Sequence, residues 1–510
     1  MTNDLQLKAK KRSIFKIEFN RIQAFFFFFI IFLIGYFAIF RANVNYVDDI
    51  GRTFYGYRIW RDYNRYVNEW LSLFLGGSTK LADISPLWQI IALAINAFVC
   101  NIIIFDVYPR KKCKIMDIVA STVFGFYPYY LENMAYKFDS IFMALSVLFS
   151  VLPIYIYQNY SRNKRRGNVL YILTTALSIF LVFNSYQVAA GIFPMICLAY
   201  CMFTYLNGEK NKDIFKFLMI SIGGYLIGIF GYFIESVIHP MSETYVSVSV
   251  KFNKNMINVI INNYKTYLRD IKADFRKVWL ILIGINTLYY VIINTIKSKK
   301  NKLATFIIAL IVTAIMFILS FGIYPLLERP LFAPRAMYAT GIFLAIVMVG
   351  ITYYTTRNFE SNNGLKNIMY NFQLVLIYLS IIGLCWCFLT LTVIFGNTLA
   401  AQKEYEAVKI NALYSDLNEL NLSKNETYYL TVYGNIGRAH VSGYYYKIME
   451  KLVYVNIKQY WGWAPIQLNY NDFNIAQATE DISNMKFETV KDTTFYTIQM
   501  CENYMIIIFK

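Results

Sequence analysis

Between residues 22 and 395 the chain is a succession of eleven apolar runs, at about 22–40, 86–105, 115–130, 140–157, 169–183, 188–206, 215–235, 278–296, 303–323, 337–355 and 368–395. A helix of about 20 apolar residues crosses the ~30 Å hydrocarbon core, and a helix satisfies its own backbone polar groups, which lipid cannot do. The chain is therefore predicted to be a mainly α, polytopic membrane protein. Its composition agrees: 57% of residues are hydrophobic and 18% aromatic, outside the range of ordinary soluble domains.

Much of the +18 formal charge lies in short clusters between alternate runs: Arg110, Lys111, Lys112 and Lys114; Arg162, Lys164, Arg165 and Arg166; Lys210, Lys212 and Lys216; Lys297, Lys299, Lys300 and Lys302. The positive-inside rule puts these clusters, and with them the amino terminus, on the cytoplasmic side. That distribution argues against a nucleic-acid surface. Lys8, Lys10, Lys11, Arg12, Lys16 and Arg21 precede the first run and no small-residue cleavage site follows it, so a retained helix is expected rather than a signal peptide. An odd number of spans then places the tail outside. Two histidines and seven scattered cysteines offer no disulfide framework, zinc spacing or histidine relay.

The predicted outer connections are 41–85, 131–139, 184–187, 236–277 and 324–336, and the polar residues concentrate there. The first holds Asp48-Asp49 and Arg52, then Tyr55, Arg58, Trp60, Arg61, Tyr63, Arg65, Trp70 and Phe74, a mixture suited to an interfacial helix. A hydrated loop with a helix-capping Asp accounts for the same octapeptide. Glu132, Lys137 and Asp139 crowd the second connection; pairing of Lys137 with Glu132 or Asp139 would neutralise it. Tyr186 and Gln187 offer hydrogen bonds of the kind sugar hydroxyls need, although a capped helix hairpin explains them too. The stretch 256–271 has helical apolar spacing and predicts a second interfacial helix, and Arg329 and Arg335 stand at the last outer turn, where snorkelling is the plainer role. From about 396 the composition changes, predicting a membrane region over 1–395 and a small outer α/β domain over 396–510, with a helix at Gln402–Asn421 and strands at Tyr428–Tyr433 and Tyr504–Phe509.

No Walker loop, dinucleotide fingerprint, nucleophile elbow or metal motif is present, so no cofactor and no obligatory metal are predicted. Carboxylates and cations remain. Neighbouring aspartates diverge and do not make a glycosidase pair, but one carboxylate can deprotonate an acceptor hydroxyl while Arg or Lys grips a lipid-borne sugar phosphate.

Those residues resemble the polytopic O-antigen-modifying glucosyltransferases of enteric bacteria, which have the GT-C architecture. The resemblance rests on Asp48-Asp49 with Arg52, Gly56 and Trp60, on Glu132-Asn133 with Tyr136-Lys137-Phe138-Asp139-Ser140, and on Tyr186-Gln187. It covers most of the membrane region and little of the tail; Lys137 stands where family members often have arginine, which keeps the charge and loses the bidentate fork. It implies a GT-C-type bundle that transfers glucose with inversion from undecaprenyl-phosphate-glucose to lipid-linked O-antigen, at the periplasmic face of the bacterial inner membrane, changing serotype. It also implies Asp48 or Asp49 as base, Asp49 being preferred, and Arg52, Lys137 and Arg335 as phosphate or sugar contacts. Glu132 and Asp139 would orient those cations or the glucose, and Trp60, Tyr136, Tyr186, Gln187 and Arg329 complete the predicted substrate-binding set. The tail's aromatic pieces Tyr444–Tyr446 and Tyr460–Trp463 would stack on acceptor sugars or form the tail's own core. A non-enzymatic lipid-linked sugar flippase is the rival reading, but it calls for ionisable groups at the midplane and repeated halves, and neither is visible.

Overall fold

The computed structural model describes residues 17–162, 166–240, 255–355, 364–444, 446–457 and 463–510 of the 510-residue chain. Among them, eight helices are long and apolar enough to cross a membrane: Arg21–Ala42, Leu87–Val107, Ser140–Ser161, Gln187–Leu206, Asn211–Ile238, Lys277–Lys297, Lys302–Leu319 and Phe372–Glu419. The other three predicted spans form the shorter apolar helices Ile115–Gly125, Gly167–Phe183 and Ala339–Thr355. At 1.5 Å per residue these three fall short of ~30 Å on their own.

The first helix shows how the sequence makes such an element. Asn20 starts it with a reciprocal cap: its Oδ1 accepts from the Gln23 amide, and Gln23 Oε1 accepts from the Asn20 amide, both at 2.9 Å. Ala24, Phe28, Phe32, Tyr36 and Ile39 are buried on one face, while Ile22, Phe26, Ile30, Ile34 and Phe37 form an exposed stripe on another. A large contiguous apolar stripe of this kind is at home in lipid. The buried face packs on the last membrane helix, closely enough that a Cβ on Gly396 would come within 2.4 Å of the Ala38 carbonyl carbon.

That last helix departs from expectation. It runs unbroken over Gly364–Glu419, 56 residues, where the sequence suggests a span ending near 395 and a separate helix from Gln402. Beyond 395 its inward face is carried by Leu399, Gln402, Glu406, Leu413 and Leu417, all buried at spacings of three, four or seven. Leu413 and Leu417 belong to the core of the tail. Both predicted strands form, within a five-stranded sheet ordered Ile475–Gln477, Tyr428–Tyr433, Tyr504–Phe509, Tyr496–Cys501 and Glu488–Asp492. The first three are parallel and the last three antiparallel.

Two connections shape the end of the bundle facing this tail. In 41–85 the chain forms helices Asp49–Tyr55 and Tyr66–Gly76 around a short turn at Trp60–Tyr63. Helix Tyr66–Gly76 is inverted: Asn68, Glu69 and Ser72 are buried, whereas Trp70 and Phe74 are 61% and 83% exposed. An apolar face turned outward suits the expected interfacial position. The second predicted interfacial helix also forms, as Met256–Asp274. Asn263 Nδ2 donates to the Pro325 and Leu327 carbonyls at 2.9 Å, and Tyr267 OH to that of Leu331 at 3.1 Å, tying this helix to the 324–336 turn.

Candidate active site

Two sharp turns aim the first loop. Val47 precedes the aspartates with φ 52°, the left-handed region that a β-branched residue rarely adopts. Such strain, of order 1–3 kcal/mol, persists only where the surroundings hold it, and it gathers at functional sites. Gly56, φ 68°, ends the helix, and its amide donates to the Arg52 carbonyl at 2.8 Å. The short helix therefore presents Asp48, Asp49 and Arg52 from one rigid turn.

The two aspartates have different surroundings. Asp49 is fully buried; its Oδ2 accepts from the amides of Lys137 at 2.8 Å and Tyr46 at 3.1 Å, and its Oδ1 from that of Phe138 at 3.4 Å. It clamps the 41–85 connection to the 131–139 connection. Burial pushes its carboxyl up to about 7, against the bond from the Lys137 amide and the nearby Arg52 charge. Asp48 is half-buried and, although it stands at the helix start, makes no capping bond. No hydrogen bond or ion pair engages its carboxylate among the described residues. Burial raises its pKa, opposed by Arg52, Arg335 and Arg65, whose fields converge on it.

Most of the remaining predicted residues fall into three ion-paired clamps. Asp139 takes Arg52 Nη1 on one oxygen and Trp60 Nε1, at 2.7 Å, on the other, while the Arg52 guanidinium lies 4.5 Å from the Trp60 ring centroid. Glu132 receives both the guanidinium and, at 2.7 Å, the backbone amide of Arg335. The Arg335 guanidinium lies 5.7 Å from the Tyr136 ring centroid, and Tyr136 packs edge-on against Tyr46. Lys137 pairs with neither Glu132 nor Asp139: its Nζ donates to Asp83 Oδ2 at 2.8 Å. Both expected partners are already engaged by arginines. Tyr186 OH donates to the Arg335 carbonyl at 3.3 Å, which brings the 184–187 turn to the same place. Gln187 Oε1 accepts from Arg65 Nε at 3.4 Å, and the Arg65 guanidinium lies 4.9 Å from the Tyr186 ring centroid.

Eleven of the twelve predicted site residues thus meet in one neighbourhood. Arg329 is exposed on its turn and shares none of these bonds. Two participants, Asp83 and Arg65, escape sequence reasoning. Asp83 lies 54 residues from Lys137, and no local pattern announces the pairing. Arg65 is one of several arginines in an aromatic loop, and only the fold shows that Glu69 takes Arg58, at 3.2 Å, and Arg61, at 3.6 Å, leaving Arg65 over. Between cluster and tail lies a cavity of about 350 Å³ whose walls include Tyr46, Glu132, Arg335, Asn435, Arg438 and Lys451. Of the tail's predicted sugar-stacking rings, Tyr445 and Tyr460–Trp461 lie outside the described residues, while Tyr446 stacks on Trp279 with centroids 5.4 Å apart. Among the described residues no group of three or more His, Cys, Asp or Glu is arranged to hold a metal ion.

Chemically, the arrangement offers a half-buried carboxylate in a field of arginines, at the mouth of an apolar bundle. A protein of Salmonella phage P22, described as an uncharacterized 55.3 kDa protein in the gtrB 5' region, is similar, with 22% identity over 84% of this chain and 86% of its own length. No solved structure matches. The family model for "Glucosyl transferase GtrII" matches residues 37–346, more than half of the chain and the whole stretch from Asp48 to Arg335. The chain therefore belongs to the GtrII glucosyl transferase family.

Proposed function

We propose that the protein is an inverting glucosyltransferase that moves glucose from undecaprenyl-phosphate-glucose to lipid-linked O-antigen, at the periplasmic face of the bacterial inner membrane, as in serotype conversion. The proposed topology has eleven spans, a cytoplasmic amino terminus and a periplasmic tail; the basic clusters between alternate apolar segments support it. Asp48 is the base in this reading. The observation that carries the assignment is the contrast within the acidic pair: Asp49 is occupied by three backbone amides, whereas Asp48 is open and lies among Arg52, Arg335 and Arg65. A base must reach the acceptor hydroxyl, and a carboxylate consumed by loop closure cannot.

In the reaction, Asp48 takes the acceptor O–H proton as that oxygen attacks the anomeric carbon from the face opposite the phosphate. The carbon–oxygen bond to phosphate breaks with both electrons on the phosphate oxygen, and a singly charged diester becomes a doubly charged monoester. Cations, rather than a general acid, meet that extra charge. The test is transfer of labelled glucose from purified undecaprenyl-phosphate-glucose to O-antigen in membranes containing wild-type protein, Asp48→Asn or Asp49→Asn. We expect transfer by the wild type and its loss in Asp48→Asn at normal abundance; absence of transfer by the wild type with several polyprenyl-phosphate sugars overturns the reading in favour of a lipid-sugar transporter.

A further inference from the structure

Each cation that the sequence nominates for the donor phosphate already has a carboxylate partner. Arg52 is held by Asp139, Lys137 by Asp83 and Arg335 by Glu132. A cation so neutralised offers a phosphate a weaker field than a free one. Arg65 differs: it is half-buried, forms no ion pair among the described residues, and donates only Nε, to the neutral amide of Gln187. Its guanidinium is nevertheless fixed, 4.9 Å from the Tyr186 ring centroid and 5.2 Å from that of Tyr63, with Gln187 itself donating to Tyr232 OH at 3.4 Å. Both terminal nitrogens are left without a hydrogen-bond partner among the described residues. A guanidinium with its plane set by rings and its outer edge unused matches two phosphate oxygens in parallel.

We propose that Arg65 is the residue that grips the phosphate of the polyprenyl-phosphate donor and takes up the charge that develops on it during transfer. The proposal rests on the glycosyltransferase reading above. The phosphate gains one negative charge as its bond to the anomeric carbon breaks, so a contact through Arg65 strengthens on the way to the transition state and acts on kcat. Arg52, Lys137 and Arg335 are positioning residues by the same reasoning: their charges hold Asp139, Asp83 and Glu132, and through them the loops. Gln187 orients Arg65.

The test uses the purified full-length protein in lipid nanodiscs, with Arg65→Gln and Arg65→Lys, and reads both sugar transfer and inhibition by the product, polyprenyl phosphate. Arg65→Gln is expected to lower kcat by roughly 10²- to 10³-fold. It should also weaken inhibition by polyprenyl phosphate about tenfold or more while leaving the acceptor KM unchanged, a pattern that a merely structural role would not give. Arg65→Lys keeps the charge and loses the fork; it should recover part of kcat, and it carries the test if the glutamine variant does not fold. A folded variant with wild-type inhibition by polyprenyl phosphate overturns the role of Arg65 and leaves the transferase reading standing. A wild type that transfers from no polyprenyl-phosphate sugar overturns that reading instead.

Discussion

At the end of the bundle where Arg21 begins the first helix, Asp106 receives Arg21 and Asn159, at 2.8 and 2.9 Å, and Asp117 receives Arg110 and Thr352, at 2.7 and 2.6 Å. At the opposite end Glu132, Asp139 and Asp49 are engaged just as fully. Both ends therefore use buried carboxylates to lash helices and loops together, and density of ion pairs does not distinguish them. What distinguishes them is the remainder. Asp106 and Asp117 each have an arginine partner, whereas the second end leaves Asp48 and Arg65 over, one carboxylate and one cation held in place without an ion-pair partner among the described residues. Buried pairs mark the architecture of this protein, and the groups they leave out are the ones proposed for its chemistry.

The strongest way to break that comparison is to neutralise one carboxylate from each end. Asp48→Asn should lower transfer by roughly 10²- to 10⁴-fold with an unchanged melting transition. Asp117→Asn should do the reverse, reducing folded yield while each folded molecule keeps its activity. Equal losses of specific activity in the two variants would erase the distinction. A second test removes a partner inside the reactive end. Asp139→Ala strands the Arg52 guanidinium and Trp60 Nε1, and loss of one side of a buried pair costs about 3–5 kcal/mol. Thermal unfolding in nanodiscs reads this directly, and a wild-type transition would show that the clamp contributes little.

The third test sharpens the contrast between the adjacent aspartates. Folded Asp49 keeps its proton up to about pH 7, whereas an unfolded aspartate releases it near ~3.9. Between those values the unfolded chain binds fewer protons, so this group makes stability fall as pH rises through the window and leaves it level above. Its contribution to the slope is at most about 1.4 kcal/mol per pH unit. Asp49→Asn should flatten the dependence of melting temperature on pH between 5 and 7; an unaltered slope there would mean that Asp49 is ionised throughout.

Apolar run length is enough to find the eight long apolar helices and the three shorter ones, because in lipid the requirement is simple: enough apolar residues in a row. Boundaries were harder where another rule intervened. The run at 115–130 ends its helix at Gly125, and a separate short helix, Tyr130–Ala135, carries Glu132. Pro128, which cannot continue a helix, was the visible signal. The continuity of the long helix across 396–401 is not legible, because its inward face beyond that point includes Gln402 and Glu406, polar residues buried by bonding to the tail, as in Gln402 Oε1 accepting from the Ala439 amide at 2.7 Å. Which residues cluster is legible in the acidic pair and the Tyr-Lys-Phe-Asp-Ser turn. The pairings are not, since Arg335 finds Glu132 across 203 residues and Arg52 finds Asp139 across 87.

The unbroken helix has a mechanical consequence. At 1.5 Å per residue its 56 residues make a rod about 84 Å long, more than twice the thickness of the hydrocarbon it crosses. A rod without a joint is a mast, and the sheet domain is lashed to it by Leu413 and Leu417. Stays run from the mast and the sheet domain to the first loop: Lys403 Nζ to the Asn43 carbonyl at 2.9 Å, Tyr46 OH to that of Leu452 at 2.7 Å, and Tyr470 OH to that of Ile50 at 3.4 Å. The gap between sheet and acidic loop is consequently a fixed gauge, its width set by the mast and its stays and not by the play of a tether.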